Sequence, residues 1–453
     1  MSAQIEAQQL AALAGKPALA RLPTYLKLSG PGWLQGAMTL GGGSAITSLT
    51  LGAVYGYDLL WVQPLAMIIG CIMLFALSHQ TLSTGEKPYR AMKNHISPTL
   101  AFLWAFAAIA SSIIWGFSHY PLSAGMIEEV VSVATGADLA SREGAAREAW
   151  LFLFAILTWC VCAYTAWNYG RGGKPVKVFE TAIKWLSTGI ILAFLWVVVY
   201  ASIQGKVDWS AVFAGFIPGR LPTDLAGVTT VMAALGTAVG INMTFIYGYT
   251  LLERGWGREH RELARYDIVM GLVLPYILVT TLIAIAAAGA LHGSGMDIQG
   301  KLSPAKAALM FTDAGIDPIT GRLIFAIGIL GMAVGSLVMH MLCCGAVAAE
   351  LFKLEPHSKA YRLCLLLPTP AVLGVFLWST MGAYVILPTS AISGFLLPIA
   401  YLGWLLLNNR KDFMGEDRPQ GGRAWIINAA MVVCIVTVLS SVVFSTSVAM
   451  GWM

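Results

Sequence analysis

The chain has 453 residues, of which 57% are hydrophobic and only 11% charged, and it carries a net charge of +5 at neutral pH. A soluble domain carries roughly 25% charged residues, so this composition excludes a water-soluble protein. The apolar residues come in runs of about 20, long enough to cross a bilayer as helices, and the alternation of a membrane β-barrel is missing.

The positive charge follows from the tendency of cytoplasmic loops of membrane proteins to collect Lys and Arg, and nothing supports nucleic-acid binding. The seven cysteines lie mostly inside apolar runs, where they behave as small hydrophobes and not as a disulfide or metal framework. The sequence predicts an all-α transmembrane protein. Its first residues, 1–27, read as a short cytoplasmic tail without the pattern of a signal peptide. Eleven helical spans follow, near 28–54, 58–80, 99–127, 148–168, 178–203, 226–252, 266–291, 320–352, 362–379, 383–408 and 424–448.

An N-terminus in the cytoplasm and a C-terminus outside put most of the basic residues on the inner side, including Lys87, Arg90 and Lys93, then Arg254, Arg258, Arg261 and Arg265. The outer connections hold only Arg142, Arg147, Lys206, Arg220, Lys301, Lys306 and Arg322. That bias predicts a multi-pass inner-membrane protein in this orientation. Eleven spans fit a five-plus-five inverted repeat, a common plan of secondary transporters, with residues 28–203 as one half, 226–408 as the other and 424–448 as an added helix.

The first and sixth spans, which open the two halves, each carry a polar, glycine-bearing interruption at mid-membrane depth. The first reads Gly41-Gly42-Gly43-Ser44-Ala45-Ile46-Thr47, and the sixth Gly236-Thr237-Ala238-Val239-Gly240-Ile241-Asn242-Met243-Thr244. Glycine costs a helix about 1 kcal/mol relative to alanine, so the cluster predicts unwinding at Gly41 to Ser44 and at about Gly240 to Asn242. The other reading is close packing of helices by small residues. A broken pair of this kind exposes carbonyls that hold cations and N–H groups that hold carboxylates. The predicted substrate-binding set is Gly41, Gly42, Gly43, Ser44, Thr47, Thr237, Gly240, Asn242 and Thr244.

In the third span Ser112, Trp115 and His119 share one helix face. His119, and behind it His340 in the eighth span, are candidates for cavity lining and proton coupling, since intramembrane ionisable groups are functional candidates by default. A neutral, hydrogen-bonded structural role is the competing reading for both. Glu180 and Lys184 read as a neutralising i, i+4 pair, Glu350 as an inner-surface residue, and Pro388 and Pro398 as marks of a distorted tenth span bordering the cavity. Protease, nucleophile-elbow and Walker motifs are missing, so no enzyme is expected, and no cofactor.

The run from Gly30-Pro31-Gly32 to Gly56-Tyr57-Asp58-Leu59-Leu60-Trp61-Val62 resembles the first helix and following turn of the Nramp family of divalent-metal transporters. The resemblance implies the leucine-transporter fold, eleven spans and proton-coupled transport. The family's metal chemistry is not carried over. Its Asp-Pro-Gly-Asn falls on Gly41-Gly42-Gly43-Ser44, its Met-Pro-His on Gly240-Ile241-Asn242, a second histidine on Tyr247, and an acidic residue of the third span on Trp115. No metal site is therefore expected at the breaks, because dehydrated divalent ions require carboxylates or well-placed soft ligands.

These readings give a secondary transporter in the lipid bilayer, with protons as one candidate coupling ion. Its substrate is expected to be a small neutral, zwitterionic or carboxylate-bearing solute. The alternatives are a divalent ion held partly hydrated by backbone carbonyls, and a membrane sensor that binds a ligand without moving it.

Overall fold

The computed structural model describes residues 3–452 except 14, 138, 143, 170–173, 220, 296–302 and 357. Nine helices among the described residues are long and apolar enough to cross a membrane, and a bent pair, Pro31–Thr39 with Gly42–Tyr55, makes a tenth. The helix Lys174–Ile203 occupies the place of the expected fifth span, and its shorter apolar part is Thr188–Ile203. The helices follow the expected order along the chain, with ten spans by length and composition among the described residues and this shorter apolar helix at the fifth place. The side chains of Glu180 and Lys184, and residues Arg171, Arg220 and Lys301, lie outside the described residues.

Several boundaries differ from expectation for local reasons. The second span starts at Val62, because Gly56 takes a positive φ of 61° and ends the preceding helix. The third runs to Thr135, where Gly136 terminates it in the left-handed conformation. The ninth span contains a 3₁₀ run, Thr369–Leu377, where Pro368 just before it and Pro370 within it remove two backbone donors. The tenth span, expected to be distorted by Pro388 and Pro398, is one continuous helix, Ile386–Asn409, with Pro398 inside it.

Packing relies on small residues that let backbones touch. A Cβ at Gly52 would lie 2.0 Å from the carbonyl oxygen of Ala284 in the seventh span, and one at Gly236 would lie 2.0 Å from that of Ser390 in the tenth. The first span meets the seventh in the same way: a Cβ at Gly36 would sit 2.1 Å from the Gly271 carbonyl oxygen. Gly271 belongs to a π-helical turn, Val269–Val273.

The Gly30-Pro31-Gly32 opening has its explanation one turn away from that contact. Asp267 accepts N–H bonds from Gly30, at 2.9 Å, and from Gly32. Pro31 needs no partner because it has no N–H. The buried carboxylate therefore caps the helix from another span and complements its positive end.

The N-terminal residues form two short helices, Ala3–Ala11 and Ala18–Leu28. The first is docked by Glu6, which receives the Trp256 indole N–H at 3.2 Å and lies 3.6 Å from Arg254. Arg254 also donates to the Leu28 carbonyl at 3.1 Å. Near that end of the bundle Glu350 is buried and paired with Lys87 at 2.7 Å and Arg90 at 3.0 Å. At the opposite end Glu128 and Glu129, also buried, pair with Arg147 and Arg322.

The backbone contact at Gly52 sets an expectation. Gly52→Ala should destabilise the protein by about 1–3 kcal/mol, the usual cost of overpacking. Thermal unfolding of the purified variant checks this, and an unchanged midpoint would mean that the first and seventh spans separate at no cost.

Candidate functional site

The first span ends its initial helix at Thr39, with Leu40 at φ −76°, ψ 51°, and resumes after an extended Gly41 at φ −97°, ψ −177°. The two halves are bent by 52°. The sixth span is interrupted by Val239 and Gly240, both extended, between Leu225–Ala238 and Ile241–Glu253. Both breaks are shorter and earlier than the sequence suggested. Gly42, Gly43 and Ser44 are not unwound but form the first turn of the second half-helix, and Asn242 likewise lies inside its helix.

The glycine cluster serves approach more than unwinding. A Cβ at Gly41 would lie 2.0 Å from the Ser336 hydroxyl, one at Gly42 2.5 Å from Leu122, and one at Gly43 2.7 Å from the Trp115 ring. The eighth and third spans therefore close directly onto the break.

Between the breaks lies a cavity of about 20 Å³, room for about one water molecule. Of the predicted substrate-binding residues, Gly41, Gly43, Ser44, Thr237, Gly240 and Asn242 line it, together with Trp115, His119 and His340. Gly42, Thr47, Thr244 and Ser112 do not line it. Thr47 is buried with its hydroxyl unpartnered. Thr244 receives the Trp104 indole N–H at 3.1 Å, and the Ser112 hydroxyl bonds its own helix at Ala108. The tenth-span residues Pro388, Thr389, Ser390 and Ser393 also lie off this cavity.

The structure adds Met38, Thr39, Gly236, Met243 and Ser336 to the lining. Two of these carried a signal in the sequence. Thr39 is a hydroxyl residue two positions before the break, and Ser336 shares a helix face with His340 at i, i+4.

Hydrogen bonds around the cavity tie the breaks to one another. The Thr39 hydroxyl is 3.1 Å from the Met243 sulfur and 3.4 Å from the Ala238 carbonyl oxygen. The Ser44 hydroxyl reaches the carbonyls of Thr39 at 2.7 Å and Gly41 at 3.1 Å. The Ser336 hydroxyl donates to the Met38 carbonyl at 3.1 Å.

Asn242 is fixed at both ends of its amide. Its Oδ1 accepts the Met243 N–H at 2.9 Å, and its Nδ2 lies 2.7 Å from His340 Nδ1. A backbone N–H can only donate, so the amide orientation is determined and His340 Nδ1 must accept. That pattern fits a neutral imidazole carrying its hydrogen on Nε2. His119 Nδ1 is 2.9 Å from the Trp115 carbonyl oxygen and donates to it, which leaves its Nε2 as an acceptor.

The rings pack together. Trp115 stacks on His340 at 5.7 Å between centroids and 11° between planes, and the two imidazoles are 5.7 Å apart, edge to face. No carboxylate lines the cavity, and among the described residues no three His, Cys, Asp or Glu side chains converge as metal ligands.

Two half-helix pairs meeting at an occluded polar cavity in mid-bundle define a secondary-transporter architecture. The chain matches the Nramp family, "Natural resistance-associated macrophage protein-like", over residues 32–444, and it belongs to that family. The divalent metal cation transporter MntH of Brucella suis is 25% identical over 435 residues, covering 92% of this chain and 87% of that protein. A structure of the Eremococcus coleocola manganese transporter superposes with a TM-score of 0.68 at 15% identity, covering 96% of this chain and 94% of that one. MhsT in complex with L-phenylalanine superposes at 0.58 and 13% identity, covering 92% and 98%. The fold is thus the leucine-transporter type expected from the sequence, and the protein is a multi-pass membrane transporter.

Asn242→Ala removes both the partner of His340 and the acceptor of the Met243 N–H. It should lower stability by about 1–3 kcal/mol, the penalty for orphaned buried polar groups. The midpoint of thermal unfolding reads this directly, and no change would show that water replaces the amide.

Proposed function

We propose that this chain carries a small neutral, zwitterionic or carboxylate-bearing solute through its central site, and not a dehydrated transition-metal ion. One observation supports this above the others: the cavity between the two breaks is lined by hydroxyls, an amide, imidazoles and backbone, with no carboxylate. A dehydrated divalent ion in such surroundings would lack the anionic ligands that offset its lost water. The first turns of both second half-helices supply N–H groups without a backbone partner in their own helix, of which that of Met243 is taken by Asn242 Oδ1, and neither Gly41 nor Gly240 provides a side-chain cap. Such N–H groups suit a carboxylate. The predicted residues that line the cavity, Gly41, Gly43, Ser44, Thr237, Gly240 and Asn242, are the proposed contacts.

The cavity volume of about 20 Å³ fits an occluded state, which has to open to admit any solute. The halves 28–203 and 226–408 are read as the two repeats that rock against each other, with 424–448 outside them. The basic loops support an N-terminus in the cytoplasm and a C-terminus outside.

A second reading, divalent-metal transport, is favoured by the names of relatives such as the Brucella suis protein. The softer ligands His119, His340 and Met243 also share this cavity. Calorimetry on the purified protein separates the readings. We expect no micromolar binding of Mn²⁺, and we expect a stabilising response from at least one amino acid or small organic acid in a thermal-shift screen. Micromolar Mn²⁺ affinity that is lost in Asn242→Leu would overturn the solute reading. Uptake of the bound solute into proteoliposomes tests transport against sensing.

A further inference from the structure

The short helix Pro88–His95 connects the second span to the third, and Lys87 and Arg90 tie it to the end of the eighth span. A recess of about 550 Å³ opens at this junction, a size usual for ligand sites. Its charged lining among the described residues is Lys87, Arg90, Lys93, Lys353, Glu350 and Glu355. Four cations face two carboxylates, which leaves two positive charges in excess. The recess lies at the end of the bundle read as cytoplasmic from its basic loops.

A general excess of basic residues on that side would scatter them over solvated loops, but these are ordered. Glu350 is buried, and both its oxygens are occupied, Oε1 by Lys87 Nζ at 2.7 Å and Oε2 by Arg90 Nε at 3.0 Å. It sets two cations in place while its own charge is neutralised. Arg90 spends only Nε on that bond, so the terminal nitrogens of its guanidinium are left for an oxyanion. Lys93 and Lys353 make no ion pair among the described residues.

Lys353 is also the only non-glycine among the described residues with a positive φ, 54°. It closes the eighth span in the left-handed conformation, where glycine is the usual residue and a side chain is strained. The residue that bears this strain carries one of the unpaired charges of the recess. Phe352, just before it, is exposed, so apolar surface adjoins the basic lining.

We propose that this recess binds a phosphate group, and that its source is an anionic phospholipid of the adjacent leaflet. The Arg90 guanidinium would fork to the phosphate oxygens, and Lys93 and Lys353 together outweigh Glu355. Basic pockets at a membrane face suit such head groups, and the exposed Phe352 gives an acyl chain a surface that free phosphate would not use. The recess also backs onto the inner half of the sixth span, Ile241–Glu253. Lys87 lies over the Tyr249 ring at 5.6 Å, and a Cβ at Gly248 would lie 2.3 Å from Pro88. A bound lipid would therefore brace the helix Pro88–His95 against the half-helix that follows the second break. The site is independent of which solute the protein carries.

The test uses purified full-length protein, stripped of lipid in a neutral detergent. Thermal unfolding is followed as phosphatidylglycerol, phosphatidylcholine or inorganic phosphate is added. We expect the midpoint to rise with phosphatidylglycerol and not with phosphatidylcholine, whose choline cation opposes the positive excess. Inorganic phosphate should act only at concentrations about tenfold higher or more. Lys353→Gly removes a charge while keeping the left-handed turn, so its midpoint without lipid should equal or exceed that of the wild type. In the double variant Lys93→Gln with Lys353→Gly, the apparent affinity for phosphatidylglycerol should fall about tenfold or more. Lys27→Gln, at the same end of the bundle but outside the recess, should respond like the wild type. An undiminished response in the double variant, or equal responses to the two lipids, would overturn the site. An equal loss in Lys27→Gln would overturn it by showing surface charge alone. A response to inorganic phosphate at the concentrations that suffice for the lipid would support the phosphate site and overturn the lipid as its source.

Discussion

Backbone polar groups released in the middle of a membrane have no water to turn to, and each left alone costs several kcal/mol. In this protein that constraint falls on two places, Leu40–Gly41 and Val239–Gly240, and the surroundings of both are arranged to meet it. Ser44 turns back to the carbonyls of Thr39 and Gly41, Ser336 comes from the eighth span to Met38, and Asn242 takes up the Met243 N–H. Thr39 then bridges from the first break toward the second. The breaks are tolerated because side chains from several spans act on a few atoms of backbone, and those spans must therefore pack closely.

Close packing in turn explains the glycines. Gly41, Gly42 and Gly43 admit Ser336, Leu122 and Trp115, while Gly36 and Gly52 bring the first span against the backbone of the seventh. With Trp115 over Gly43 and against His340, the cavity shrinks to the volume of about one water molecule. The imidazoles that looked like free titratable groups in the sequence are committed in the fold, His340 to Asn242 and His119 to the Trp115 carbonyl. A proton added to His340 Nδ1 would have to displace the amide.

Much of this architecture was legible in the sequence. Apolar runs gave the order and approximate places of the spans, because length against bilayer thickness is a strong constraint, and glycine with polar neighbours marked the first and sixth spans as broken. The break positions came out late by a residue or more, since the residues that unwind, Leu40 and Val239, are apolar and carry no local sign. Distant partners were illegible for the same reason. Nothing near Gly30-Pro31-Gly32 points to Asp267, more than two hundred residues away, and the bond between Ser336 and Met38 joins residues that no periodicity relates. Thr47 and Thr244 shared the composition of the site but not its facing, which was settled by where the half-helices began.

The fit between Gly41 and Ser336 also limits the routes by which this sequence could change. Where other members of the family have an aspartate, any side chain added at position 41 would evict the Ser336 hydroxyl from the break and strand the Met38 carbonyl it serves. A carboxylate there would first require the loss of Ser336, and that loss alone would leave a buried oxygen without a partner. The two positions form an epistatic lock, in which each single step is worse than either end. Positions 41 and 336 can therefore change only together, and single substitutions at either are held back by the other.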